Sequence, residues 1–392
     1  MGGFRVVSRG FAFVRTAILA RILSPAQFGV YGIVLIVLAL LELLTETGVN
    51  IFLIQEKDDI DSYINTSWVV SIVRGLIVSL LVIAFAPLIG AFFKSVEVVP
   101  LLYLAAVIPL VRGFINPAQV KLQKNLQFGK EFTLRTIVFA VDCLFAIFLA
   151  LTLKTPASLV YGLIAGAFTE VLLSLVMVSP APKFIFDKLK TLKVIKKGKW
   201  ITLAGIFDYL SKNGDNLVVG KLLGTSALGF YQMAYTFSTL PVTEVSDVSG
   251  KVVFPIYTRI SEDKKRLKRA YILLLLGVTG LVIPLSIAFF VFAKEITLII
   301  LGANWLPIIE PIKILAIFGA IKAISGTSSA VFLGLKKQEI VTFITLIRFI
   351  TLAITVVPLT VTAGIQGTAL AALISSLVPL PIILYNLTKV LK

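Results

Sequence analysis

The chain has 392 residues, 58% of them hydrophobic and 15% charged, with a mean hydropathy of +1.00. A soluble domain carries roughly 25% charged residues, and a single core stops growing at about 250–300 residues, so a soluble globular protein is excluded. With no histidine and one cysteine, Cys143, the chain also lacks histidine acid–base chemistry, His/Cys metal clusters and an intrachain disulfide, and it carries a formal net charge of +17.

A helix needs roughly 20 residues to cross about 30 Å of hydrocarbon. The apolar runs predict twelve such spans, at 3–23, 28–50, 67–93, 97–118, 131–153, 157–178, 199–222, 227–254, 270–293, 308–333, 338–357 and 365–388. The first is not a cleavable signal, because Arg5, Arg9 and Arg15 interrupt it and further spans follow. The chain starts so close to it that the first helix is expected to lack some of its length. The expected architecture is all-α and integral to the membrane: two six-helix bundles around a central cavity. The N-terminal bundle is placed at 1–178, a basic cytoplasmic linker at 179–198, and the C-terminal bundle at 199–392.

The positive charge follows this topology. The loops after spans 2, 4, 6, 8 and 10 and the C-terminal tail, counted with Lys199 at a span edge, carry 21 lysines and arginines. The alternate loops carry five: Arg21, Lys94, Lys154, Lys221 and Lys294. Basic loops stay inside, so both termini are expected in the cytoplasm and the membrane is expected to be the cell membrane. Topology absorbs most of the excess charge, which removes the case for nucleic acid as a partner. The longest basic loop, "PKFIFDKLKTLKVIKKGKW", spaces Phe186, Leu189, Leu192 and Ile195 at helical intervals. It is either an interfacial helix on anionic lipid or a plain basic linker.

One segment is written twice. "LARILSPAQFGVYGI", Leu19–Ile33, aligns at an offset of 200 with "VGKLLGTSALGFYQM", Val219–Met233, pairing Arg21 with Lys221, Leu23 with Leu223, Gly29 with Gly229 and Tyr31 with Tyr231. Each copy joins the first and second spans of a six-span half. Ser24-Pro25 ends the first helix, and Gly29 and Gly229 are expected to permit a tight turn or close approach. Residues 122–137 and 333–350 form a second, weaker match, each entering a fifth span. Because six is even, the repeats are parallel, as in transporters that bind substrate between two halves.

Ionisable residues within spans cost about 2.5–3.5 kcal/mol each on insertion scales and face a bundle interior or a wet cavity. Asp208, Lys212 and Asp215 share one face of span 7, and Glu244, Asp247 and Lys251 one face of span 8. Arg5 with Arg9, and Glu42 with Glu46, share faces of spans 1 and 2. Glu46, Arg74, Arg135 and Lys251, near the cytoplasmic boundary, read as interhelical ion pairs or snorkelling groups. Arg15, Lys322 and Arg348 lie deeper and read as cavity lining. The candidates for substrate contact are Arg9, Arg15, Lys212, Lys322 and Arg348; those for coupling to Na+ or H+ are Asp142, Glu170, Asp208 and Asp215. Asp142 and Glu170 could equally neutralise neighbouring arginines. Pro109, Pro241 and Pro284 fall inside spans, as hinges for alternating access or as ordinary kinks. No GxxxxGK[ST] motif encodes an ATP-driven pump, and no cofactor or metal is implied.

"ARILSPAQFGVYGI" followed by "ETGVNIFLIQ", then "DNLVVGKLLGTSALGFYQMAY" and "LGANWLPIIEPIKILAI", resembles the ordered signatures of polysaccharide (Wzx-type O-antigen) flippases, over nearly the whole chain. That family belongs to the multidrug/oligosaccharidyl-lipid/polysaccharide exporter superfamily. The resemblance implies two six-helix bundles and transport of an undecaprenyl- or dolichyl-pyrophosphate-linked oligosaccharide through a cation-lined cavity; it carries over no individual binding residue. The expected partners are that substrate and membrane lipids, with the chain a monomer and not an enzyme. The alternatives are a cation-coupled multidrug exporter, which would favour carboxylates and aromatics over arginines, and a membrane glycan polymerase, which would ask for a sizeable outward loop. In a Cys143→Ser background, a membrane-impermeant maleimide applied to intact cells is expected to label Lys294→Cys and to leave Lys265→Cys unlabelled; the reverse pattern overturns the orientation.

Overall fold

Short polar and proline-bearing signals cut this apolar chain into helices. The computed structural model describes residues 2–44, 60–187, 209–210, 212–239, 253 and 256–391, with side chains from Ala12 onward, and contains no strand among the described residues. The chain divides into two compact units, Met1–Asn213 and Gly214–Lys392.

In the first unit, α1 (Gly2–Ile22) and α2 (Pro25–Leu44) meet at Ser24. The Gln27 amide donates to Ser24 Oγ at 3.4 Å and the Ser24 amide donates to Gln27 Oε1 at 2.8 Å. This is a capping box, with Pro25 at the position where a missing N–H costs least. Gly29 is buried inside α2 and makes no turn. In the second copy, the helical run α9 (212–239) carries its break at Gly224, the counterpart of Ser24, with φ +84°. Gly229 likewise lies buried within that run. Of the two readings of Gly29 and Gly229, the tight turn is therefore corrected, since the turn lies five residues earlier in each copy, while their burial inside helix leaves the close-approach reading standing.

The long helix α3 (Asp61–Phe93) is followed by α4 (Val98–Ala105) and α5 (Val107–Arg112). A single span was expected over 97–118. Pro109 has no N–H to return to the Ala105 carbonyl, and the helix is interrupted at Ala106. It stops again before Pro117, where a 3-10 turn leads into α6 (Val120–Lys124), and the two pieces meet at 70°. A break inside apolar surroundings needs every freed polar group satisfied, and Asn116 does this. It is fully buried; its amide donates to Ser174 Oγ at 3.0 Å, its Nδ2 to the carbonyls of Val178 at 3.2 Å and Pro180 at 3.1 Å, and its Oδ1 accepts from the Ala118 amide at 2.9 Å. Helices α3 and α5 cross through glycine: a Cβ on Gly75 would lie 2.4 Å from the Pro109 carbonyl oxygen and 3.2 Å from Gly113 Cα.

Helices α7 (Phe128–Leu153) and α8 (Ala157–Met177) form a hairpin. Gly162 and Gly166, four residues apart on α8, let α7 approach; a Cβ on Gly162 would lie 2.7 Å from both Ala146 Cβ and Asp142 Oδ1. Residues 181–187 have no regular secondary structure, so of the two readings of the basic loop an interfacial helix has not begun by Asp187, and the rest of that loop lies outside the described residues.

In the second unit, α10 (Lys264–Val291) packs on α12 (Ile309–Gly334), with the short α11 (Ala293–Ile300) between them in sequence; α13 (Gln338–Leu377) and α14 (Leu380–Leu391) follow. Pro284 sits inside α10 without ending it, while Pro241 lies outside the described residues. Ala363 and Gly364 leave helical geometry inside α13, and Thr360 and Thr368 hydroxyls face each other across that bend at 2.7 Å. The weaker sequence repeat has a structural counterpart. After α6, Leu126 takes φ +54° and the Gln127 amide donates to the Leu122 carbonyl at 2.8 Å; after α12, Lys336 takes φ +58° and the Lys337 amide donates to the Phe332 carbonyl at 2.8 Å. Both are the same left-handed helix terminator, without glycine.

Six described helices are long and apolar enough to cross a membrane, or seven if the bent pair counts as one span. Leu80, Leu88 and Phe92 of α3 are about half exposed or more, as side chains facing lipid would be. The protein is a multi-pass membrane protein. Gly75→Leu forces α3 from the Pro109 backbone and is expected to cost about 1–3 kcal/mol, read as a lower thermal unfolding midpoint in detergent.

Candidate functional site

Charged side chains of the first unit gather around a cavity of about 630 Å3. Glu42 enters from α2, Arg74 from α3, Arg112 from α5, Glu131 and Arg135 from α7, and Glu170 from α8. Their arrangement follows from the breaks described above. Ending α5 at Arg112 and turning the chain at Asn116 brings Gln119 and Gln123 to the rim of the same space. Arg112 meets Glu42 at 3.5 Å, and Arg74 donates to the Glu42 main-chain carbonyl at 2.6 Å. Arg135 Nε donates to Glu131 at 2.9 Å, and Gln123 donates to the same carboxylate oxygen at 2.8 Å. The Arg112 and Glu42 side chains are 43% and 34% exposed, so this pair is wet and exchangeable.

A second cavity of about 560 Å3 shares Arg112, Arg135 and Glu170 with the first and reaches Asp142. Arg15 of α1 donates to Asp142 at 2.9 Å, and both side chains are nearly sealed, at 14% and 11% exposure. The glycines of α8 make room for Asp142 beside them. Arg15 Nε is buried with no partner among the described residues, a donor without an acceptor at a site otherwise well satisfied. Glu170 is half-buried and has no hydrogen-bond or ion-pair partner among the described residues.

The second unit holds another set. Asp215 accepts from the Tyr231 hydroxyl at 2.7 Å and from the Asn216 amide at 2.8 Å. Lys322 donates to the Tyr235 hydroxyl at 3.1 Å and lies 5.4 Å from the Phe318 ring centroid, within cation–π reach. Arg348 donates to Ser325 Oγ at 2.7 Å, while its Nε is buried without a partner among the described residues.

The described sequence candidates fall in both units, and each set is taken within its own unit. Arg15 and Asp142 meet each other, which supports the neutralising alternative for Asp142; Glu170 lines the cavities; Asp215, Lys322 and Arg348 lie in the second unit. Lys212 is exposed although Asp215, three residues on, is buried, so the shared face expected of them does not give a shared environment. Arg9 lies on α1 with its side chain outside the described residues, as is Asp208 entirely. Arg74 and Arg135, read from sequence as boundary groups, line the larger cavity while keeping polar partners. Sequence reasoning missed Glu131, Gln123, Asn116 and Tyr235. The four-residue spacing of Glu131 and Arg135, and an Asn-Pro step within an apolar run, were the available signals.

Apolar helices carrying paired charges around internal cavities define a multi-pass helical membrane protein, and its fold is one that transporters share. The structure superposes on the lipid II flippase MurJ in an inward closed conformation with a TM-score of 0.79 at 16% identity, covering 99% of this chain and 88% of that one. It also superposes on a multidrug resistance MATE family transporter in an inward-facing conformation, with a TM-score of 0.71 at 14% identity, covering 97% and 94%.

Residues 18–310 match the polysaccharide biosynthesis protein family, and the chain belongs to it. One relative is the lipopolysaccharide biosynthesis protein WzxC of Escherichia coli (strain K12), 23% identical over 349 residues, which are 86% of this chain and 68% of that one.

Asp142→Asn leaves the Arg15 guanidinium buried without its counter-charge, at an expected cost of about 3–5 kcal/mol. The double substitution Arg15→Met/Asp142→Leu is expected to recover most of that loss in thermal unfolding. If the double variant is no more stable than the single one, the pair does not carry the effect.

Proposed function

We propose that this protein moves a lipid-diphosphate-linked oligosaccharide across the cell membrane during polysaccharide biosynthesis, by alternating access and without changing the substrate chemically. The observation that carries this reading is the arginine-lined cavity within a unit of apolar helices. A diphosphate presents several negatively charged acceptor oxygens that planar guanidinium forks bind well, and such a group cannot cross about 30 Å of hydrocarbon unaided. Arg112 is the most available of the three cavity arginines, since its partner Glu42 sits at 3.5 Å and both are open to the cavity. Arg15, Lys322 and Arg348 are proposed as further polar contacts, and Na+ or H+ as the coupling ion. The relatives support the reading: one is described as a lipopolysaccharide biosynthesis protein, and a structural neighbour as a lipid II flippase. The basic-loop bias supports an orientation with both termini in the cytoplasm. A multidrug exporter shares the fold, but the larger cavity matches its three carboxylates with three arginines and so offers no net negative charge to a cationic drug.

The test is a proteoliposome assay with a fluorescent polyprenyl-diphosphate oligosaccharide and an impermeant quencher. The wild type is expected to equilibrate the probe between leaflets, and Arg112→Gln to slow it at least about tenfold, equivalent to about 1.4 kcal/mol, with unfolding temperature unchanged. An unaltered rate in Arg112→Gln, or no flipping by the wild type, overturns the reading.

A further inference from the structure

Three carboxylates line the larger cavity, and two of them are held. Arg112 and Arg74 engage Glu42 through its carboxylate and its carbonyl. Arg135 and Gln123 engage Glu131 at 2.9 and 2.8 Å. The third, Glu170, has no partner among the described residues. It stands on the wall common to both cavities, alongside Arg112 and Arg135, the two arginines that also line both.

A half-desolvated carboxylate without a partner is destabilising, so packing does not explain it. Its effect on an anionic ligand has a definite sign. In a space of this size every lining charge lies within about a Debye length of the ligand, and Glu170 repels what the arginines attract. A carrier must hold its cargo firmly enough to load it and weakly enough to let it go. Two arginines on one diphosphate, with no opposing charge, would favour holding.

We propose that Glu170 limits how tightly the diphosphate is held, so that the head group is released from Arg112 and Arg135 and turnover continues. This rests on the proposed function and adds a specific residue to it. On loading, the phosphate takes the place of Glu42 at Arg112, whose pair is long and exposed, while Arg135 remains steadied by Glu131. Glu170, without a partner among the described residues, is then a negative charge beside the ligand together with the displaced Glu42. It acts on release through the ligand and not through the fold.

The experiment uses the full chain in lipid nanodiscs, with farnesyl diphosphate as the probe in calorimetric titration and the fluorescent substrate in multiple-turnover flipping. Glu170→Gln is expected to bind farnesyl diphosphate about tenfold tighter and to flip with both KM and kcat lowered. Glu170→Ser, smaller and neutral, is expected to tighten binding in the same way, and Glu170→Asp to keep wild-type affinity. Glu310→Gln, which removes an exposed carboxylate paired with Lys313 at 2.7 Å outside the cavities, is expected to change neither quantity. If the wild type binds the probe and Arg112→Gln loses it, yet both neutral variants at 170 bind no tighter than the wild type, the inference is overturned and the function stands. A wild type that does not bind the probe overturns both.

Discussion

Hydrocarbon offers no partner to a charge or to a freed peptide group, and the polar features of this protein are arranged around that constraint. Where the chain breaks between Arg112 and Pro117, Asn116 supplies the hydrogen bonds that solvent would supply elsewhere. Where a guanidinium enters from α1, Asp142 meets it, and α8 has given up side chains at Gly162 and Gly166 to let that carboxylate sit there. The cavity is a by-product of the same rule. Charges that cannot face lipid turn inward, and inward they hold open a space that apolar side chains would have closed.

The two units solve equal problems with unequal residues. The helix ending before α7 and that ending before α13 use the same left-handed terminator, on Leu126 in one and Lys336 in the other. Neither is glycine, so the backbone geometry persists although the residue best suited to it is absent. At the first turn of each repeat the reverse holds: a capping box at Ser24 in one copy, a glycine at φ +84° in the other. Backbone path outlasts side-chain chemistry between the copies.

Much of the fold could be read from the chain because hydropathy, loop charge and Ser-Pro punctuation are local signals. The bounds of α8 and α12 fall within a residue or so of the spans drawn from composition. The interruption at Ala106 was not legible in the same way: a proline disturbs the carbonyl four residues earlier, so the break does not fall on the residue that causes it. The site was less legible still. Helical spacing shows which charges share a face, but Arg112 and Glu42 are seventy residues apart in the sequence, and only packing brings them to 3.5 Å. Glu131 escaped notice because it stands at the very start of its predicted span, where a charge looks like a solvated end. Lys212 and Asp215 erred the other way, sharing a face but not a burial.

The equal number of arginines and carboxylates around the larger cavity has an electrical consequence. Moving one elementary charge through the membrane potential is worth about 2.3 kcal/mol per 100 mV. An empty cavity whose own charges balance is almost indifferent to that potential. With the proposed diphosphate cargo aboard, the cavity would become net negative, and an inside-negative membrane would then favour moving that charge outward, whatever ion is coupled to it.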